Sequence, residues 1–591
     1  LYSSAASDVY KRQWQQMWPV LNDWEFGEQQ PLLGTTSERL TAIQQHLGQD
    51  NLDVADALGL TGESPELMKI DLNLDGVVNG LDVLELGYEP RTVAKSPSIA
   101  PSTGTNKWVV LRGDFQNQDA DYTTYNVTYF QDRFFSEGTA AKPSANDYFS
   151  EVSYGGLKID GVVAQQTGGG GDGWYKGQHT KDWYISNGGR WLVYEAVLAL
   201  DDEIDFSQYD VDGDGYVDTV LLYYPDVVFS GGLWPHRSSG LNISVDGVIV
   251  DSYFISGYNT SNDSHTMVIA VHEYGHILGL PDLYDIDYSG HGCGKWSLMA
   301  YNYDNSQRPP SPDPWCKTQL GWVDPIVITD NVTAYSLGCF QDSPLVLKVW
   351  TDGIEGDQYF LVANYRNKKT DTPRPGEGVL VLHIDDSIGG GNQDNKNEQR
   401  KHVDVESARG YDDPTAGNVY DPLDKRSNPT GGDNGHANDL WFSGNSDADY
   451  TGVFDDDSNP FANAYPHPGP DTHVELSSIS VPGDTVTLDI KVASPDRPSC
   501  TITSPTSGTI SGEVTIDVTA TAASGRTIDW VRFYCNGAYL GADTTSPYSL
   551  TFDSRAIYDG SRAIKALAMD DQGSADSDSV TVTVSNTALS F

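Results

Sequence analysis

From Thr266 to Leu278 the chain is an apolar run into which His272, Glu273 and His276 are set. Val268, Ile269, Ala270, Val271, Ile277 and Leu278 have helix-compatible spacing, and on a helix residues four apart share a face. His272 and His276 can therefore aim two imidazoles at one point, with Glu273 one step round, beside that point rather than on it. Two neutral nitrogens as ligands, with a carboxylate to handle the proton of a water, are what a hydrolytic zinc needs. A chance His-Glu-x-x-His on a core helix is expected on the order of 0.01 times in a chain this long.

Gly279 is expected to stop the helix, because glycine accepts the left-handed conformation that lets a chain turn sharply. Asp282 then stands where the metzincin pattern H-E-x-x-H-x-x-G-x-x-H places its third ligand, and aspartate is an acceptable oxygen ligand for zinc. Asp285 is the fallback for that ligand and is otherwise assigned to the surroundings of the site. Metzincins also carry a tight turn with a methionine beneath the metal, and some place a tyrosine two residues beyond it. Met299 and Tyr301, in Trp296-Ser-Leu-Met-Ala-Tyr301, fit that arrangement in a chain with only five methionines.

The wider stretch resembles the immune inhibitor A family of secreted zinc peptidases. The likeness is carried by His272 through Asp285, by Asp147-Tyr-Phe-Ser-Glu-Val-Ser-Tyr-Gly155, by the acidic loop at Asp210, by Leu233-Trp-Pro-His236 and by Gln319-Leu-Gly-Trp322. It runs from about residue 107 to about residue 490. The resemblance implies a secreted peptidase acting on protein or peptide substrates, with His272, His276 and Asp282 on zinc, and Glu273 and Tyr301 as catalytic groups.

Composition narrows the remainder. A chain of 591 residues is too long for one core, and about three or four domains are expected. Lysine and arginine number 36 against 84 aspartates and glutamates, a net charge of −48, so nucleic acid and anionic membrane are poor partners. No stretch of 18 apolar residues exists, so no helical membrane span is expected. The five cysteines suggest two bridges, Cys293 with Cys316 and Cys500 with Cys535. Residues 1–13 read like a translated sequencing adapter and are excluded from fold reasoning, so the absence of a signal peptide says nothing about secretion.

Residues 71–82 form an EF-hand-type loop, with Asp71, Asn73, Asp75, Asn79 and Asp82 at ligand positions and Gly76 at the turn. A weaker copy precedes it, with Leu52–Leu60 matching Val78–Leu86 but Gln45, Leu47 and Gln49 where acids should stand. Residues 14–91 therefore read as a dockerin-like helical pair with one live calcium loop. That pair is expected to meet a cohesin-like or cell-surface partner through residues 40–90, with a propeptide as the other reading. Residues 92–106, rich in Ser, Thr, Pro and Ala, are its linker. Within the catalytic segment, 107–324, a second calcium is expected at Asp210, Asp212, Asp214, the Tyr216 carbonyl and Asp218, where it would offset carboxylate repulsion. Segment 325–493 reads as β-rich, with polar segments at 385–400 and 411–470 as metal-stabilised or mobile loops. Its His383, His402 and His436 read as surface or core histidines, with metal ligation as the alternative. Segment 494–591 resembles bacterial Ig-like modules, with short strands between turn signals.

The expected architecture is thus multidomain α+β: a helical EF-hand-like pair, a metzincin-like zinc peptidase domain, a β-rich domain and an Ig-like sandwich. The expected function is a secreted or cell-surface, calcium-supported zinc endopeptidase. A non-catalytic calcium-dependent adhesion or scaffold protein is the alternative, and the intact Glu273 argues against it, since a retired site has no need of the base.

Overall fold

The computed structural model describes residues 100–586, apart from 139–142, 168–172, 226–232, 259–263, 288, 301–307, 355, 373, 389–394, 411–421, 425–433 and 468. The expected EF-hand-like pair with Asp71, Asn73, Asp75, Asn79 and Asp82 lies outside the described residues, as does Tyr301. Contacts place residues 95–537 and 542–591 in one compact unit, which holds every element named here.

Its first half is built on a mixed sheet. Strand β1 (Gly104–Asp114) pairs in parallel with β2 (Leu157–Val163) on one side and β3 (Thr219–Tyr224) on the other. Beyond β3 come the parallel strand β5 (Tyr253–Gly257) and an antiparallel edge, β4 (His236–Ser238). Successive side chains of a strand point to opposite faces, and β1 divides accordingly. Trp108 and Val110 enter one core; Val109 and Leu111 enter another. The second core is covered by helix α3 (Arg190–Leu200) through Leu192, Val193, Ala196 and Val197. The first is covered by α1 (Val127–Phe134), α2 (Ala145–Val152) and α4 (Ser264–Ile277). Helix α2 starts at a capping box in which the Ser144 side chain accepts from Asp147 N and Asp147 accepts in turn from Ser144 N. Residues 266–275 of α4 are all buried, so its β-branched residues, mediocre helix formers, are held helical by packing on every side.

The following segment does not form a separate layer. Strands β6 (Ile326–Ile328), β8 (Leu347–Val349), β9 (Gln358–Tyr365), β10 (Gly378–Asp385) and β11 (Val403–Val405) make a five-stranded sheet in the order β11-β10-β9-β8-β6. One face presents Leu361, Ala363, Leu380, Leu382 and Ile384 to the same core as Tyr274 and Met299 of the first half. The other presents Phe360, Val362, Val379 and Val381 to a three-stranded sheet of β7 (Val332–Gly338), β12 (Glu475–Ser477) and β13 (Thr485–Lys491). Burial on both faces explains why Gly378-Val-Leu-Val-Leu-His-Ile384 lacks a polar alternation.

Helix α5 (Pro314–Gln319) links the two halves, capped by Asp313, whose Oδ1 accepts from Cys316 N at 3.0 Å. The C-terminal segment is a pair of antiparallel-rich sheets. Ser499–Ser504, Glu513–Thr521 and Tyr548–Asp553 form one, and Ile528–Cys535, Gly560–Asp570 and Ala575–Val584 lie in the other. Among the described residues no helix is long and apolar enough to cross a membrane.

The expected disulfides are replaced by buried thiols. All five cysteines are free and buried. Cys293 Sγ donates to Val403 O at 3.2 Å, and burial pushes the Cys293 and Cys316 thiols well above their ordinary range. They act as small apolar core residues.

Candidate metal centre

Helix α4 ends one residue before the turn that builds the site. Gly279 has φ +100°, and the next residue closes the helix, with Leu280 N donating to Gly275 O at 3.0 Å. The chain then doubles back and carries Asp282 over the end of α4. Asp282 Oδ1 lies 3.2 Å from His272 Nε2 and 3.1 Å from His276 Nε2. His272 and Asp282 are each 4 % exposed, and these three residues offer ligand atoms that all lie within 4.8 Å of one another. Glu273, at 7 % exposed, stands one residue along the helix from His272.

The opposite ring nitrogens are fixed by backbone carbonyls. His272 Nδ1 is 3.0 Å from Leu298 O, and His276 Nδ1 is 2.8 Å from Leu280 O. A proton shared with a carbonyl must sit on Nδ1, so when the rings are neutral the Nε2 atoms facing Asp282 are the ones that could bind a metal. The turn at 296–300 supplies more than that one carbonyl. Met299 O accepts from Leu283 N at 2.9 Å, beside Asp282, and Ser297 Oγ accepts from Met299 N at 3.1 Å. Below the helix, a Cβ added to Gly275 would lie 2.6 Å from Met299 Sδ. The turn therefore packs flush against α4, holding His272 through the Leu298 carbonyl and Leu283, the neighbour of Asp282, through the Met299 carbonyl.

Charge at the site favours a cation. Burial alone would lower the His272 imidazole and raise the Asp282 carboxyl. Contact with Asp282 and the nearby Glu273 instead brings His272 up to about 9, and the two imidazoles hold Asp282 well below the usual carboxylate range. The donor set fits a divalent metal of the zinc class: two imidazole nitrogens, one carboxylate oxygen, and second-layer carbonyls on both rings.

Asp285 points elsewhere. Its carboxylate accepts from Asp287 N at 3.0 Å, Ser289 Oγ at 2.9 Å and Gly290 N at 2.6 Å, and so shapes the loop after Asp282.

The loop before β3 gathers part of the expected calcium set. Asp210, Asp212 and Asp218 offer carboxylate oxygens within 4.8 Å of one another. Asp214 is outside this group, its Oδ1 accepting from Tyr216 N at 2.8 Å. Asp210 closes the turn by accepting from the N–H groups of Gly213, Asp214 and Gly215 at 2.8–3.0 Å. Burial, and then repulsion from Asp212, Asp210 and Asp214, raises Asp218 to about 7. Of the three histidines marked in the β-rich segment, His402 lies against Asp386 at 3.3 Å and His436 accepts from Asn438 N at 3.1 Å. The His383 ring is fully buried and lies beside Glu406 and His467. Neither of these two partners had a local sequence signature, because they come from distant segments.

Comparison with known proteins bears on two segments. Residues 234–306, which contain α4, Asp282 and Met299, match the description "Immune inhibitor A peptidase M6, catalytic domain". Residues 498–566 match "Bacterial Ig domain". A pre-pro-metalloprotease PrtV of Vibrio cholerae serotype O1 is 26% identical over 220 residues, 30% of this chain and 24% of the relative. An immune inhibitor A of Bacillus thuringiensis subsp. alesti is 27% identical over 224 residues, 32% of this chain and 33% of the relative. The chain thus matches a third or less of either relative's length. A structure of Clostridium thermocellum CbhA fibronectin(III)-like modules is 26% identical over 15% of this chain and 98% of its own, with a TM-score of 0.14 that bears no weight.

Proposed function

We propose that the chain is a secreted zinc-dependent endopeptidase, metzincin-like in its catalytic segment, with His272, His276 and Asp282 holding the metal. The reading rests chiefly on one observation: two histidine Nε2 atoms one helical turn apart meet a buried carboxylate oxygen at 3.1–3.2 Å. Zinc held there supplies Lewis acidity, which makes a water acidic near neutral pH and polarises a peptide carbonyl. Glu273 takes the proton of that water on its carboxylate and delivers it to the leaving amine. Tyr301 is assigned the second donor to the developing oxyanion. Met299 and Gly279 keep structural roles, one supporting the helix and the other turning the chain toward Asp282.

Around this centre, the 210–218 loop is read as a structural calcium site and residues 71–82 as another. The N-terminal pair is read as a module for a cohesin-like or cell-surface partner. Segments 107–324, 325–493 and 494–591 are read as catalytic, β-rich accessory and Ig-like. The test is casein hydrolysis by the full chain. Hydrolysis abolished by phenanthroline and restored by zinc supports the reading. A folded, zinc-loaded chain that leaves casein and peptide libraries intact returns the molecule to the adhesion alternative.

A further inference from the structure

We propose that His383, Glu406 and His467 form a second divalent-cation site of the zinc class, one that pins the 454–474 segment to the face of the five-stranded sheet. The placement follows from strand alternation. On β10, Val379, Val381 and His383 share the face that looks into the sandwich core. On β11, Asp404 pairs with His383, and Glu406 follows at the same parity. His467 reaches this face from the loop before β12. Each of the three residues offers one ligand atom, all within 4.8 Å of one another.

Distances match the first centre. His383 Nδ1 lies 3.2 Å from Glu406 Oε1, the same separation as His272 Nε2 from Asp282 Oδ1. Two ligands at about 2.0–2.1 Å from a tetrahedral zinc stand roughly 3.3 Å apart, so both pairs have the spacing of ligands sharing one ion. His383 is 0 % exposed and Glu406 1 %. A hydrogen bond between His383 and Glu406 explains their own contact, but it gives no reason for a second imidazole to converge there. The nearby Asp404 is already engaged, accepting from Lys401 at 2.5 Å and from Tyr465 at 2.9 Å.

The surroundings point to anchoring rather than hydrolysis. Tyr465 stacks on His383 with ring centroids 4.0 Å apart, Phe360 lies 4.5 Å from the same ring, and Phe461 lies 5.0 Å from His467. Rings wall the site where a peptide substrate would have to enter.

The test uses the full chain carrying His272→Ala and His276→Ala, which removes the first centre and any self-digestion. Metal is stripped, the chain is dialysed against limiting zinc with excess calcium, and bound zinc is counted by mass spectrometry. One zinc per chain is expected, with a rise of several degrees in melting temperature. Adding His467→Ala, or His467→Asn as the milder change, should remove that zinc and the thermal shift while leaving far-ultraviolet circular dichroism unchanged. Cobalt in place of zinc should give visible bands that depend on His467. A folded background variant that takes up no zinc overturns the proposal, as does one that holds zinc equally with and without His467. Neither result bears on whether the first centre is catalytic.

Discussion

Asp282 and Asp285 are three residues apart, yet their carboxylates have different tasks. Asp282 meets the two Nε2 atoms, while Asp285 ties down Ser289 and Gly290. Asp282→Ala is expected to weaken zinc binding by more than the roughly 10–100-fold typical of an outer partner. Asp285→Ala should mainly lower the melting temperature. Chelator competition measures both, and a larger affinity loss for Asp285→Ala would reverse the assignment. A second residue-scale prediction concerns Lys317, buried at 1 % exposure with its Nζ 4.4 Å from the centre of the Tyr154 ring. Burial pushes this lysine down from 10.5 to about 7, nearby carboxylates such as Asp371 opposing only in part. Between these values the unfolded chain binds a proton that the folded chain does not, so stability from this group rises with pH. Its penalty is full below the folded value and gone above the unfolded one. Lys317→Met should therefore raise the melting temperature by a few degrees at about pH 6, and by much less at about pH 10. A gain independent of pH would show that packing, and not charge, limits this position.

At the scale of elements, the contact of α4 with the 296–300 turn sets the site. Gly275 leaves room for Met299 Sδ, which a Cβ there would meet at 2.6 Å. Gly275→Ala should cost about 1–3 kcal/mol by overpacking. Combining it with Met299→Ala should cost less than the sum of the two single changes, a coupling that a double-mutant cycle reads directly. Strict additivity would mean that the two elements do not press on each other. Helix spacing and the Gly279 turn made the two histidines and Asp282 legible in sequence, because 3.6-residue periodicity and a left-handed glycine are local properties. The strands at 345–350, 359–363, 378–384 and 486–492 were legible as apolar runs. The cysteine pairing was not, since spacing does not report which core each thiol enters. Nor was the group at His383, whose partners reach it only through strand register and a distant loop.

Across the molecule, the five-stranded sheet is shared. Its Leu361, Leu380, Leu382 and Ile384 lie in one core with Tyr274, Trp296 and Met299. Sequence alternation cannot show this, because a run buried on both faces looks the same whatever lies opposite. A chain ending at residue 324 should fail to unfold cooperatively and should bind hydrophobic dyes. A sharp melting transition at the full-length temperature would show that the first half stands alone.

Glu273 is proposed to move a proton beside a metal it does not hold. The most direct measurement compares zinc content and peptide hydrolysis in Glu273→Ala and the unaltered chain. Retained zinc with hydrolysis lowered by about 10²–10⁴-fold or more is predicted. Zinc lost in step with activity, or hydrolysis unchanged, would contradict the account.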